Sequence, residues 1–194
     1  MKRDRIFSMA LIALFTALTI IGTQISIPLP LVPITMQTLF VLSAGMLLGS
    51  LRGMLSQLLY VVIGLIGFPV FSRGQGGPQM VFAISFGYLL GFMAAPPVVG
   101  WVIGRFGRVN GVSVLIAGLA GTLAIDVIGI GWILFVFNLI SESPVAAAKV
   151  FSAILVPTIP GDLLKAVILA LAIPSLFRGL NHQNLLPHLK YKKG

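Results

Sequence analysis

Residues 112–140 read VSVLIAGLAGTLAIDVIGIGWILFVFNLI, a run of 29 residues with one formal charge, Asp126. Crossing the ~30 Å hydrocarbon layer of a bilayer takes ~20 apolar residues of helix. A run this long and this apolar is therefore read as a membrane helix. The rest of the chain agrees: 58% of its residues are hydrophobic and 9% are charged, and its mean hydropathy is +1.08. Soluble domains carry about 25% charged residues. The expected fold is an all-α integral membrane bundle, one transmembrane unit over residues 1–194, with no linker that would set off a second domain.

Working outward from that run, six membrane segments are expected. The first is about Arg5–Gln24. Basic residues precede it, as in a signal peptide, but no cleavage site follows and it is read as a retained helix. The second, about Thr35–Leu48, is short for a span. The third is about Met54–Gly67, and the fourth about Met80–Ile103, with Pro96-Pro97 expected to break or kink its far end. The fifth is the opening run. The sixth covers about Ala148–Leu176, and Pro157 and Pro160 predict that its regular helix begins near Gly161 or Asp162.

The net charge of +9 resembles that of a nucleic-acid-binding protein, but its placement argues for lipid. Lys2, Arg3, Arg5, Arg52, Arg105, Arg108, Arg178, Lys190, Lys192 and Lys193 all flank apolar runs. Putting both termini in the cytoplasm places these cations inside and leaves Arg73 and Lys149 outside, with Lys165 just beneath the outer surface. This is the positive-inside pattern. The expected location is the cell membrane, with several passes.

The outer connections are unusual. Eight of the twelve prolines fall in Gln24–Gln37, Phe68–Gln79 and Ser141–Pro160. The first of these is apolar as well as proline-rich, and the second is rich in glycine. Exposed loops are ordinarily polar, so stiff apolar ones are expected to fold over a pocket that opens outward.

The chemistry available is sparse. With no cysteine, disulfides, iron–sulfur clusters and thiol catalysis are excluded. The two histidines, His182 and His188, lie beyond the last apolar run. There is no GxxxxGK[ST] motif for ATP and no HExxH. The four acids, Asp4, Asp126, Glu142 and Asp162, are too scattered to form a local metal site. Neither an enzyme nor a bound cofactor is expected.

Against this background Pro160-Gly-Asp-Leu-Leu-Lys165 stands out. An acid and a base at i and i+3 share one helix face, and each ionised group in lipid costs ~2.5–3.5 kcal/mol on insertion scales. They either neutralise each other structurally or grip a polar ligand beneath the outer loops. Asp126 is open to two readings, a proton carrier or a structural carboxyl group. Ala10, Ala13 and Ala17 put small side chains on one face of the first helix, fit for packing within the chain or for docking another membrane protein.

Four segments together resemble the BioY proteins, the biotin-binding S components of energy-coupling-factor (ECF) vitamin transporters. They are Gln24-Ile-Ser-Ile-Pro-Leu-Pro-Leu-Val-Pro-Ile-Thr-Met-Gln-Thr-Leu39, Gly64-Leu-Ile-Gly-Phe-Pro-Val-Phe71, Gly87-Tyr-Leu-Leu-Gly-Phe92 and Pro160-Gly-Asp-Leu-Leu-Lys-Ala166. The resemblance covers nearly the whole chain. It implies a six-helix bundle that captures biotin outside and docks, through the alanines of its first helix, on a membrane coupling protein joined to two ATPases. It places Asp162 and Lys165 at ligand positions, with Tyr88 and Gln79 as further candidates. Biotin offers two N–H donors and a carbonyl on its ureido ring, an apolar thioether body and a carboxylate tail. A carboxylate suits the N–H groups, a lysine suits the carbonyl or the tail, and Arg73 is an outer-side cation able to attract the tail. Two stretches depart from the family pattern: Val81-Phe-Ala-Ile-Ser-Phe86, where members often have Gly-Pro-Thr-Gly, and Asp126, where an uncharged or aromatic residue is usual. The competing expectation is a self-sufficient, proton-coupled transporter of a small carboxylated solute.

Overall fold

The structure, a computed structural model, describes residues 2–28, 32–140 and 147–182. Glu142, Pro144, His188 and the 190–193 lysines lie outside the described residues, as do the side chains of Lys2, Arg3, Asp4 and His182. Five long helices follow one another: α1 (Lys2–Gln24), α2 (Gln37–Ile66), α3 (Phe86–Phe106), α4 (Gly111–Phe135) and α5 (Ala147–His182). Each is long and apolar enough to cross a membrane by length and composition. In sequence order each packs on the next, and α5 returns to α2.

The second and third expected segments turn out to be the two arms of α2. Gly49 interrupts the helix at φ 78°, ψ −179°, a conformation that residues with a Cβ rarely adopt. The chain doubles back there. Gln37 and Tyr60 lie 23 positions apart, ~34 Å along a straight helix, yet Gln37 Nε2 donates to Tyr60 Oη at 2.7 Å. The corner is wedged on α3: a Cβ at Gly45 would sit 2.8 Å from Pro96 Cα, and one at Gly53 would sit 2.8 Å from Pro96 Cβ. Pro96 thus occupies space left free by two glycines, and Ser50 Oγ donates to the Pro97 carbonyl at 3.4 Å.

That packing explains one correction. α3 does not break at Pro96-Pro97; it continues to Phe106 and ends at Gly107, φ 65°, whose N–H bonds the Ile103 carbonyl. α5 likewise runs through Pro157 and Pro160 rather than starting at Gly161. In lipid a broken helix would leave backbone groups with no water to bond, so neighbouring helices and hydroxyls keep proline-bearing helices intact. Thr158 Oγ1 donates to the Leu155 carbonyl between these two prolines. α3 also starts later than expected, because Pro78–Phe82 forms a 3₁₀ turn before it. At the opposite end Asn110 caps α4: its side chain accepts the Ser113 N–H at 2.8 Å, and Ser113 Oγ accepts the Asn110 N–H at 3.0 Å.

Two kinds of contact hold the helices together. On the α1–α2 seam Thr16 Oγ1 donates to the Ser56 carbonyl at 2.8 Å and Gln57 Nε2 donates to Thr19 Oγ1 at 3.2 Å. Between α3 and α4 the backbones nearly touch: a Cβ at Gly91 would meet Ile125 Cα at 2.9 Å, and one at Gly87 would collide with Trp132. Small residues and interhelical hydrogen bonds are the usual adhesives where lipid removes the hydrophobic drive. Ile6, Leu14, Leu51, Trp101, Leu123 and Leu171 are exposed around the outside.

Replacing Gly49 by valine puts a β-branched side chain at φ 78°. It should cost about 1–3 kcal/mol and lower the detergent-solubilised protein's thermal midpoint. An unchanged midpoint would show that the corner is not held in this conformation.

Candidate ligand-binding site

A cavity enclosing about 780 Å³ of empty space, mouth included, lies at the end where α1 and α4 finish and α3 and α5 begin. Two loops roof it. In the first, Ser26–Ile27 pairs antiparallel with Ile34–Thr35, and the Met36 N–H reaches the Gly22 and Ile25 carbonyls. This strap carries Val32, Pro33 and Ile34 into the cavity lining. In the second, Phe71 pairs with Gln75. Its ring lies against Gly64, where a Cβ would collide with it, and meets Tyr60 edge-on at 5.5 Å. The Gly77 N–H bonds the Gly64 carbonyl at 2.7 Å, so this loop is tied to α2. Two of the three expected loops thus roof a pocket; residues 141–146 of the third lie outside the described residues.

Asp162 and Lys165 line this cavity from α5. Lys165 Nζ donates to Asp162 Oδ1 at 3.1 Å, and their side chains are only 7% and 14% exposed. Tyr88 lines it from α3 and Asp126 from α4. Tyr88 is set in place by glycine: a Cβ at Gly129 would lie 2.6 Å from its ring.

Three lining residues, Tyr88, Thr122 and Ser72, carry hydroxyls that are buried without a hydrogen-bond partner among the described residues. Buried polar atoms are ordinarily bonded, so unmet hydroxyls gathered in one cavity mark it as a place for a polar guest. Other hydroxyls at its edge are spoken for. Thr35 Oγ1 donates to Gln37 Oε1 at 2.9 Å, and Tyr60 Oη donates to the Val70 carbonyl at 3.3 Å.

Two sequence candidates are placed elsewhere. Gln79 is exposed, donates to the Gly76 carbonyl at 2.6 Å, and does not line the cavity. The 3₁₀ turn aims the next residue, Met80, inward instead. Arg73 is exposed at φ 62° at the tip of its loop, while its neighbours Ser72 and Gln75 face the cavity. Thr122 and Ser72 went unnoticed in the sequence. For Thr122 the signal was available: it precedes Asp126 by four residues, one turn along the same helix face. Ala10, Ala13 and Ala17 are all exposed, while Thr16, Thr19 and Thr23 turn the other side of α1 inward.

A family model described as the BioY family matches residues 1–182. The chain belongs to the BioY family. A relative from Lysinibacillus sphaericus, named a probable biotin transporter BioY, is 37% identical over 178 residues, covering 92% of this chain and 90% of the relative. The biotin transporter BioY of Rhodobacter capsulatus is 36% identical over 171 residues, covering 84% and 90%. Among solved structures, the S-component for biotin from an ECF-type ABC transporter superposes with a TM-score of 0.80 at 26% identity, covering 98% of both chains. BioY proteins are transport proteins rather than enzymes, and this member is a multi-pass membrane protein.

Breaking the ion pair on one side strands a buried charge, which typically costs 3–5 kcal/mol. Lys165→Met should therefore lower the thermal midpoint of the ligand-free protein, and Lys165→Met with Asp162→Asn should recover much of the loss. If the double variant is as unstable as the sum of the two single ones, the pair is not coupled.

Proposed function

We propose that this chain is the biotin-capturing S component of an ATP-driven ECF-type vitamin uptake transporter. The observation that carries this reading is the buried Asp162–Lys165 pair in a roofed cavity, together with membership of a family whose relatives are named biotin transporters. In this reading Asp162 accepts an N–H of the ureido ring. Lys165 donates to the ring carbonyl or the tail carboxylate. The thioether body packs on Leu89, Phe92 and Ile154, and Tyr88 supplies a hydroxyl. Arg73, at the mouth end but outside the lining, draws the anionic tail from a distance.

We read the topology as six membrane segments, counting the arms of α2 separately, with both termini in the cytoplasm of a cell-membrane protein. Arg5, Arg52, Arg105, Arg108 and Arg178 lie at the end opposite the cavity, and Arg73 and Lys149 at the cavity end. The positive-inside rule then makes the mouth face outward. No ATP-binding motif is present in the sequence, so energy comes from partner chains: a membrane coupling protein and two ATPase subunits. The exposed Ala10, Ala13 and Ala17 are the proposed docking stripe, since small residues let a partner helix approach closely. A second reading, proton-coupled transport by this chain alone, draws on Asp126 lining the cavity. Reconstituted chain that binds biotin but does not move it, with or without a protonophore, favours the first reading.

Asp162→Asn keeps the shape but removes the charge-assisted acceptor. It should weaken biotin binding at least about tenfold, matching the ~1.5–3 kcal/mol of such a bond, as read by calorimetry on folded protein. Affinity equal to the parent's would remove Asp162 from the grip. Ala13→Leu or Ala17→Leu should leave biotin affinity intact and abolish co-purification with the coupling protein. Undiminished recovery of the complex from both variants would move docking off this stripe.

A further inference from the structure

Neither the helix packing nor the acid–base grip uses Asp126. It stands in the middle of α4, half-buried, in the cavity wall. Among the described residues nothing donates a hydrogen bond to its carboxylate or forms an ion pair with it. One turn earlier is Thr122, a lining residue 9% exposed, whose Oγ1 is buried and has no hydrogen-bond partner among the described residues. From α3 comes a second buried, unpartnered hydroxyl, that of Tyr88. Two helices thus bring residues with unused hydroxyls to one cavity that also holds a carboxylate with no hydrogen-bond or ion-pair partner among the described residues. An unpaired carboxylate at membrane depth is expensive, which points to a guest that enters and pairs with it.

The charges say what kind of guest. The cavity lining carries Asp126 and Asp162 against Lys165, and every other lining residue is uncharged. Lys165 is already matched by Asp162 at 3.1 Å. With both carboxylates ionised the lining carries one net negative charge. Such a cavity favours a ring rich in N–H donors and tolerates a positive charge on that ring.

We propose that Asp126 is a specificity-determining residue: it accepts the second N–H of the ligand's cyclic urea while Asp162 accepts the first, and its uncompensated charge extends recognition to cyclic guanidinium rings of the same shape. This rests on the biotin reading above and deepens it, since it assigns the second donor of the ring and adds a ligand class. Thr122 and Tyr88 supply the remaining hydrogen bonds around the ring.

The test is calorimetric titration of purified full-length wild type, Asp126→Asn and Asp126→Glu with two ligands. One is biotin and the other is 2-iminobiotin, in which an iminium nitrogen replaces the ureido oxygen. Titrations are run at about pH 8, where ordinary carboxylates are ionised. Wild type is expected to bind both. Asp126→Asn should lower the affinity for the guanidinium ring at least about tenfold more than that for biotin, as expected for removing one unit charge within a few ångströms of another in a partly shielded site. Asp126→Glu should keep the wild-type ratio of affinities. A ratio unmoved by Asp126→Asn, or a wild type that binds biotin and ignores 2-iminobiotin, overturns the proposal and leaves the biotin reading standing. A wild type that binds neither ligand overturns the biotin reading itself. Melting of the unliganded variants verifies folding. If Asp126→Asn does not fold, Asp126→Ser provides the neutral side chain for the same comparison.

Discussion

Lipid offers no hydrogen bonds, and every feature of this chain answers to that shortage. Backbone groups must bond within helices, so the helices persist even through Pro96-Pro97, Pro157 and Pro160. Side-chain hydroxyls follow the same rule. Thr16, Thr19 and Thr23 each donate to the carbonyl four residues back, at 2.8–3.0 Å. The longer polar groups of the α1–α2 seam bond one another, as Gln57 does with Thr19 and Ser56. Where nearly everything is satisfied, the exceptions carry meaning. Tyr88, Thr122 and Ser72, three of the four side chains left with a buried unpartnered atom among the described residues, line one cavity.

Glycine and proline shape that cavity indirectly. Gly49 turns α2 back on itself, and Gly45 and Gly53 let Pro96 sit against the corner. The reversal brings Gln37 at the start of α2 beside Tyr60 near its end. This joins the first roofing loop, through Thr35, to the second, through Val70. On the other side, Gly87, Gly91 and Gly129 draw α3 and α4 together, so that the Tyr88 ring lies on α4 in the cavity lining. None of these glycines touches a ligand in the proposed mode; they set the distances at which other residues can.

The molecule presents two contrasting ends. The cavity end has apolar straps over a buried acid–base pair and a second carboxylate. The other end carries the arginines that flank the helices, and the exposed alanines of α1 run along the helix toward it. In the proposed reading, capture and energising are thus separated in space. A cavity at one end of the bundle, on a chain lacking an ATP motif, fits the proposed receptor that depends on partners for transport.

Much of this was legible in residue order. Hydrophobic run length gave the membrane class, and proline-rich apolar connections foretold a roofed pocket; the orientation read from cation placement belongs to the proposed reading. Asp162 and Lys165 were visible because helical periodicity is local: residues three apart share a face wherever the helix goes. Gln79 and Arg73 fall outside the cavity lining, which the sequence did not show, because loop geometry is not periodic and a single 3₁₀ turn decides which neighbour points inward. The prolines misled because their cost was judged in isolation, while packing against glycine and the absence of water keep the helix whole. Thr122, Ser72 and the cavity-facing position of Asp126 depend on which helices meet. The sequence by itself therefore determined what must be buried in lipid and which charges could not be left there alone. Only the tertiary structure decided which of those groups share a cavity, because that depends on contacts between residues far apart in the chain, and no local period encodes them.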